Sequence, residues 1–144
     1  IKAFYNFMKK ISIIGSGYVG LVSGAGLSEF GNNVTCLDKD KSKINKLKKL
    51  EIPIFEPGLE NIISKNIDKG LLNFSHDISG SIKDSDIIFI AVGTPQNHDG
   101  SANIEFVEAV AEVIAKNLNS YKIICTKSTV PIGTGKKIKR LIED

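Results

Sequence analysis

The 144 residues carry 42% hydrophobic and 24% charged side chains at a formal net charge of +3, with a mean hydropathy of +0.01. This balance excludes a disordered chain, and a chain of this length buries roughly 70% of its unfolded surface, enough for one self-standing domain. No membrane span is expected, because the longest uncharged stretch, residues 11–28, is broken by five glycines and four serines.

Residues 1–7, IKAFYNF, precede Met8 and have neither the apolar core nor the cleavage site of a secretory leader. They read as an N-terminal extension to a domain over residues 8–144. Cys36 and Cys125 lie in separate apolar runs, far from any histidine pair, and predict two buried, reduced thiols in a cytoplasmic protein with no metal site.

KISIIG (10–15) reads as the first strand and Tyr18–Phe30 as a helix closed by GNN. VTCLD (34–38) is the second strand. A helix ending near Leu50 follows, with Ile44, Leu47 and Leu50 on one face and a solvated face of lysines, so no nucleic acid partner is expected. In IPIFEPGL (52–59), Pro57 suits the first turn of a helix reaching about Lys69.

LLNFS is a short third strand, and DIIFIAV (86–92) is apolar nearly throughout, as in a strand covered on both faces. A loop from Gly93 to Ala102 leads to a helix over about 104–118, with Phe106, Val107, Val110, Val113 and Ile114 at core spacing. KIICT is the fifth strand and Gly135–Ile142 the last helix. Strands alternating with helices predict a doubly wound, Rossmann-type α/β domain with parallel order 3-2-1-4-5, lacking the sixth strand of the full fold. The open edge of strand five would then be sticky.

Gly15, Gly17 and Gly20 have G-x-G-x-x-G spacing directly after a strand and before a helix. Gly15 allows the tight turn, Gly17 lets a pyrophosphate reach the backbone, and Gly20 lets helix and strand approach. The N–H groups of Ser16, Gly17, Tyr18 and Val19 would face the phosphates at the positive end of the helix dipole. Asp38 ends the second strand 18 residues after Gly20, where a carboxylate accepts hydrogen bonds from both ribose hydroxyls and repels a 2′-phosphate. These features together predict NAD as cofactor, in preference to NADP, despite the nearby Lys39, Lys41 and Lys43.

In an open parallel sheet the ligand lies outside the carboxyl ends of the strands, where the strand order reverses. The loop after strand four, with Val92, Gly93, Thr94 and Pro95, should border it. Lys127, Ser128, Thr129 and Val130 leave strand five at the same rim, where hydroxyls suit the nicotinamide half and a reacting oxygen; Ser128 or Thr129 capping the last helix is the alternative. His76 and His98 fall in loops with no ligand set around them.

The stretches ISIIGSGYVGLVSG, CLDKDKSKI, IPIFEPGL, AVGTPQNHDGSAN and KSTVPIGT, in this order, resemble the amino-terminal NAD-binding domain of the UDP-glucose/GDP-mannose dehydrogenase family. IPIFEPGL and VGTP are most similar to members acting on UDP-glucose; GDP-mannose or UDP-N-acetylmannosamine is the alternative substrate. The resemblance implies oxidation of a sugar nucleotide's C6 alcohol to a carboxylate, in two NAD-dependent hydride transfers through a cysteine-bound intermediate. It also implies that Asp38 and Lys43 hold the adenosine ribose, that Thr94 lines the cofactor, and that Thr129 touches it and positions the catalytic water. The family's nucleophilic cysteine, active-site lysine and sugar-nucleotide pocket match nothing up to residue 144, and neither Cys36 nor Cys125 matches that nucleophile. The chain alone is therefore expected to be inactive, with UDP-glucose a partner only of the full-length enzyme, itself expected to be a homo-oligomer. Another NAD enzyme with a related first domain and a non-catalytic NAD-binding module are the competing readings.

Overall fold

The computed structural model describes residues 8–143, so the extension expected at residues 1–7 lies outside the described residues. The elements are β1 (Lys10–Ile14), α1 (Tyr18–Glu29), β2 (Asn33–Leu37), α2 (Lys41–Lys48), α3 (Leu59–Asp68), β3 (Leu72–Ser75), α4 (Ile78–Asp84), β4 (Ile87–Ile90), α5 (Glu105–Asn117), β5 (Ile123–Thr126) and α6 (Thr134–Glu143). All strand pairs are parallel and the sheet order is β3-β2-β1-β4-β5, the order predicted from the alternation of elements.

The pleat sends alternate residues to opposite faces, and the sheet separates two cores. Ile11, Ile13, Val34, Cys36 and Phe74 pack under Leu21, Ala25, Ile44, Leu47 and Ile63 from α1, α2 and α3. Ile14, Leu37, Ile88 and Ile90 pack against Ile82, Val107, Ala111, Ile114 and Ile138 from α4, α5 and α6. Because α1, α2 and α3 gather over β1 to β3, the first face thins out toward β4, where Ile87 and Phe89 are only half-buried. β4 is thus not sealed on both faces, contrary to what its apolar sequence predicts. On the edge strand β5, Ile123 is 48% exposed and Cys125 is half-buried rather than buried.

Helix α1 closes as its GNN suggested: Gly31 at φ 88 donates to Ser28 O, and the Asn32 N–H reaches back to Leu27 O. The same turn closes α2 at Lys48, two residues before the expected end near Leu50. Leu50 has φ 63 in the left-handed region, its N–H bonded to Leu47 O, while the Glu51 N–H bonds to Lys46 O. Leu50 still packs on the first core, but from outside the helix, accepting a backbone conformation that costs about 1–2 kcal/mol without a glycine.

Three further elements differ from expectation. Gly58, in a left-handed conformation, begins α3, so Pro57 precedes the helix. α4 has no counterpart among the expected elements: its seven residues include Gly80 and two serines, too few and too poor in helix formers to show a period, and it is held by the Asp77 carboxylate accepting from the Gly80 N–H at 3.0 Å. In α5, Val107, Ala111 and Ile114 form the buried stripe, whereas Phe106 is 49% and Val113 36% exposed.

Candidate functional site

The turn between β1 and α1 uses its three glycines for three different reasons. Gly15 sits at φ 108, and a Cβ there would lie 2.5 Å from the Ala91 carbonyl oxygen of the neighbouring β4 chain. A Cβ at Gly20 would overlap the Gly15 carbonyl oxygen, so its absence permits the helix to rise directly off the strand. At Gly17 a Cβ would meet nothing within 4 Å. Packing does not demand a glycine at this third position, and the open space above its backbone is what an approaching diphosphate needs.

The first helical bond of α1 runs from the Leu21 N–H to Gly17 O at 2.9 Å. Upstream of it, the amides of Gly17, Tyr18, Val19 and Gly20 have no carbonyl four residues back within the helix. Gly17, Tyr18 and Val19 are exposed, and Gly17 caps the helix without a side chain. Their N–H groups form the positive end of the helix, an arrangement suited to an anion. The amide of Ser16 is not among them. Ser16 is fully buried, donates its N–H to Asp38 Oδ2 at 3.2 Å and its hydroxyl to Leu37 O at 3.1 Å, and so fastens the turn to the end of β2.

Asp38 follows β2 directly, one carboxylate oxygen accepting from Ser16 N–H and from Lys43 Nζ at 2.9 Å, the other from the Asp40 N–H at 3.1 Å. Burial on its own would raise the carboxyl's pKa, but hydrogen bonds from Lys43, Asp40 and Ser16, with the Lys43 charge, outweigh it and hold the group below its ordinary value. The result is a carboxylate ionised at neutral pH, fixed in orientation and 16% exposed at the cleft. Lys43 reaches it because Asp40 caps α2, accepting from the Ser42 and Lys43 N–H groups and setting the first turn of that helix.

These parts line one cleft of about 350 Å³ that also takes in Ala91, Val92, Gly93, Lys39 and, from the helices beyond, Ile78, Phe106 and Val110. It lies over β1, between the ends of β2 and β4, at the point where the strand order reverses. Gly15, Ser16, Gly17, Asp38, Lys43, Val92 and Gly93 are therefore brought together. Gly20 is buried beneath the turn. Sequence reasoning missed Phe106, since its helical spacing matched a core position; the signal that marks it is its place in the first turn of α5, beside the strand ends.

Thr94, Pro95, Ser128, Thr129 and Val130 stand on the β4 and β5 side of the rim, outside that cleft. The Ser128 hydroxyl donates to Val92 O at 2.7 Å and its N–H to Ile90 O at 3.1 Å, so it splices the exit of β5 onto β4. Thr129 is exposed and Thr94 half-exposed. α6 begins beyond Ser128 and Thr129, its first turn closed by the Lys137 N–H donating to Gly133 O at 3.2 Å, and Thr134 Oγ1 donates to Pro131 O at 2.7 Å. On the opposite flank, the Tyr18 hydroxyl donates to the Glu56 carboxylate, tying the loop of residues 52–58 to the start of α1 and raising the phenol's pKa.

A doubly wound sheet, a glycine turn opening a helix and an acidic residue ending the second strand define a Rossmann-type dinucleotide-binding domain. The profile of the UDP-glucose/GDP-mannose dehydrogenase family, NAD binding domain, matches residues 9–144, and the chain belongs to that family as its NAD-binding domain. UDP-glucose 6-dehydrogenase of Rhizobium meliloti (strain 1021) is 50% identical over 136 residues, covering 94% of this chain and 31% of that protein. UDP-glucose 6-dehydrogenase TuaD of Bacillus subtilis (strain 168) is 52% identical over 136 residues, 94% of this chain and 30% of its own length. Among solved structures, a UDP-glucose dehydrogenase from Pyrobaculum islandicum superposes with a TM-score of 0.90 at 34% identity, covering 94% of this chain and 32% of that one. The chain thus spans about a third of the length of these relatives. Among the described residues, no helix is long and apolar enough to cross a membrane, and no group of three or more potential metal ligands comes together.

Proposed function

We propose that this chain binds NAD as the cofactor domain of an enzyme that oxidises the C6 alcohol of UDP-glucose to the carboxylate. The observation that carries the cofactor's placement is the open face of Gly17 at the start of α1, with Asp38 held ionised one strand away. When bound, NAD would supply the hydride acceptor for each of the two oxidation steps. The amides of Gly17, Tyr18 and Val19 hold its diphosphate, and Asp38, oriented by Ser16 and Lys43, accepts from the adenosine ribose hydroxyls. Gly93 and Thr94 with Pro95 border the cofactor past the switch point. Thr129, with Val130 beside it and Ser128 anchoring the segment, presents a hydroxyl to the nicotinamide end and to a water molecule; lacking a group that titrates near neutral pH, it orients and does not act as a base. UDP-glucose as substrate is supported by the names of the most similar relatives, and a cytoplasmic location by two free thiols.

Calorimetric titration of the chain with NAD, NADP and UDP-glucose tests this function. NAD is expected to bind, NADP more weakly because the Asp38 carboxylate repels a 2′-phosphate, and UDP-glucose not at all. Tight binding of UDP-glucose, or NADP preferred over NAD, overturns the assignment.

A further inference from the structure

Phe106 is an aromatic side chain that the core does not use. Its helix buries Val107, Ala111 and Ile114, yet Phe106, one residue before that stripe begins, turns its ring into the cleft and stays 49% exposed. Lys39 comes next after Asp38 and places its Nζ 5.5 Å from the centroid of that ring. Ile78 at the start of α4 and Val110 one turn further along α5 supply aliphatic wall around the same part of the cleft. An aromatic face, aliphatic flanks and a carboxylate anchor for ribose therefore adjoin one another at the end of the cleft away from the strand-five rim.

We infer that Phe106 is the stacking platform for the adenine of the cofactor, and that Lys39 covers this platform in the free chain and gives it up when the base arrives. The inference rests on the NAD assignment above and adds the residues that recognise the base. If Asp38 takes the ribose hydroxyls, the base attached to that ribose must fall beside it, and Phe106 offers the aromatic face there. Space requires Lys39 to move. Carbon layers pack at about 3.5–4.0 Å, so a base between ring and ammonium needs roughly 7 Å, more than the 5.5 Å the pair now spans. A flexible lysine stem can swing out at little cost, since an exposed cation–π contact is weak. The platform then reads the base by area and shape, as aromatic stacking does, while Asp38 reads the sugar.

Binding of AMP, nicotinamide mononucleotide and NAD to the chain, followed by calorimetry and proton NMR, tests this. The two mononucleotides share a ribose phosphate and differ in the base. Phe106→Leu is expected to weaken AMP and NAD by about fivefold to tenfold and to leave nicotinamide mononucleotide unchanged, with Phe106→Tyr restoring affinity. Upfield shifts of the adenine protons are expected with the wild type and lost with Phe106→Leu. For the cover, uncharged adenosine avoids any effect of Lys39 on phosphate: Lys39→Met is expected to bind adenosine about twofold to fivefold more tightly. Equal affinity of wild type and Phe106→Leu for AMP and NAD, with matching thermal unfolding, overturns the platform while leaving the NAD assignment standing. Unchanged adenosine affinity in Lys39→Met overturns the cover. Failure of the wild type to bind either NAD or AMP overturns the NAD assignment, and this inference with it.

Discussion

The rim over β1 and β2 and the rim over β4 and β5 are made from similar residues, small, polar and close to glycines, and yet they are finished to different degrees. Over β1 and β2 the fastening groups are committed, leaving the amides of Gly17, Tyr18 and Val19 open: Ser16 uses both its donors, Asp38 accepts three hydrogen bonds, and Gly15 donates its N–H to Leu37 O at 2.8 Å. Over β4 and β5 the Lys127 and Ser128 amides and the Ser128 hydroxyl are tied to β4, while Thr129 is exposed and Ile132 projects fully into solvent. The contrast separates two tasks. On the function proposed above, the site for diphosphate and ribose is preorganised by the domain's own hydrogen bonds, and the rim that would meet the reacting group keeps Thr129 exposed.

This contrast can be broken by substitution, and the largest effect is expected at the most crowded point. Gly20→Val drives a side chain into the Gly15 carbonyl oxygen, so helix and turn must part. A loss of about 3 kcal/mol or more, read from urea unfolding, is expected, together with loss of NAD binding. An unaltered midpoint would mean that the turn is looser than its geometry implies.

Asp38→Asn keeps the shape and removes the charge. NAD affinity should fall about tenfold, as for a charge-assisted hydrogen bond replaced by neutral ones. The pH dependence follows from the lowered pKa of Asp38. Its stabilising contribution is complete above the ordinary value of 3.8 and is lost as pH falls through the lower folded value, so wild type and Asp38→Asn should converge in stability in acid and diverge above it. Parallel stability curves from neutral pH into acid would remove Asp38 as the fastener of this rim.

Ser128→Ala tests the side-chain tie on the other rim. Losing the hydroxyl's bond to Val92 O should cost about 1 kcal/mol, measured by thermal unfolding. The smallest effect belongs to Ile132→Ser, which should change stability by no more than about 0.5 kcal/mol, because the side chain is wholly in solvent. A large change there would mean that the rim is more closely packed than its exposure suggests.

Much of the fold was legible because its signals are local. The glycine spacing, the end of the first helix at Gly31 and the burial of Ile44 and Leu47 each depend on a few neighbouring residues whose preferred geometry agrees with the whole. The failures have local causes too. α4 is too short to show a period, and Leu50 takes a backbone conformation that residue type alone argues against. Phe106 fits the helical spacing of a core position, but spacing cannot tell a residue facing the sheet from one at the edge of the helix that faces a cleft.

By itself, the sequence determined the class of domain, the strand order, the glycine turn and the acidic residue that answers it, since each follows from chain geometry and residue chemistry over short distances. Tertiary structure alone decided that the Ser16 amide serves Asp38 and is not left for a phosphate, and that Phe106 with Lys39 closes the far end of the cleft. These pairings join segments brought together only by folding of the sheet, and no spacing along the chain encodes which donor reaches an acceptor first.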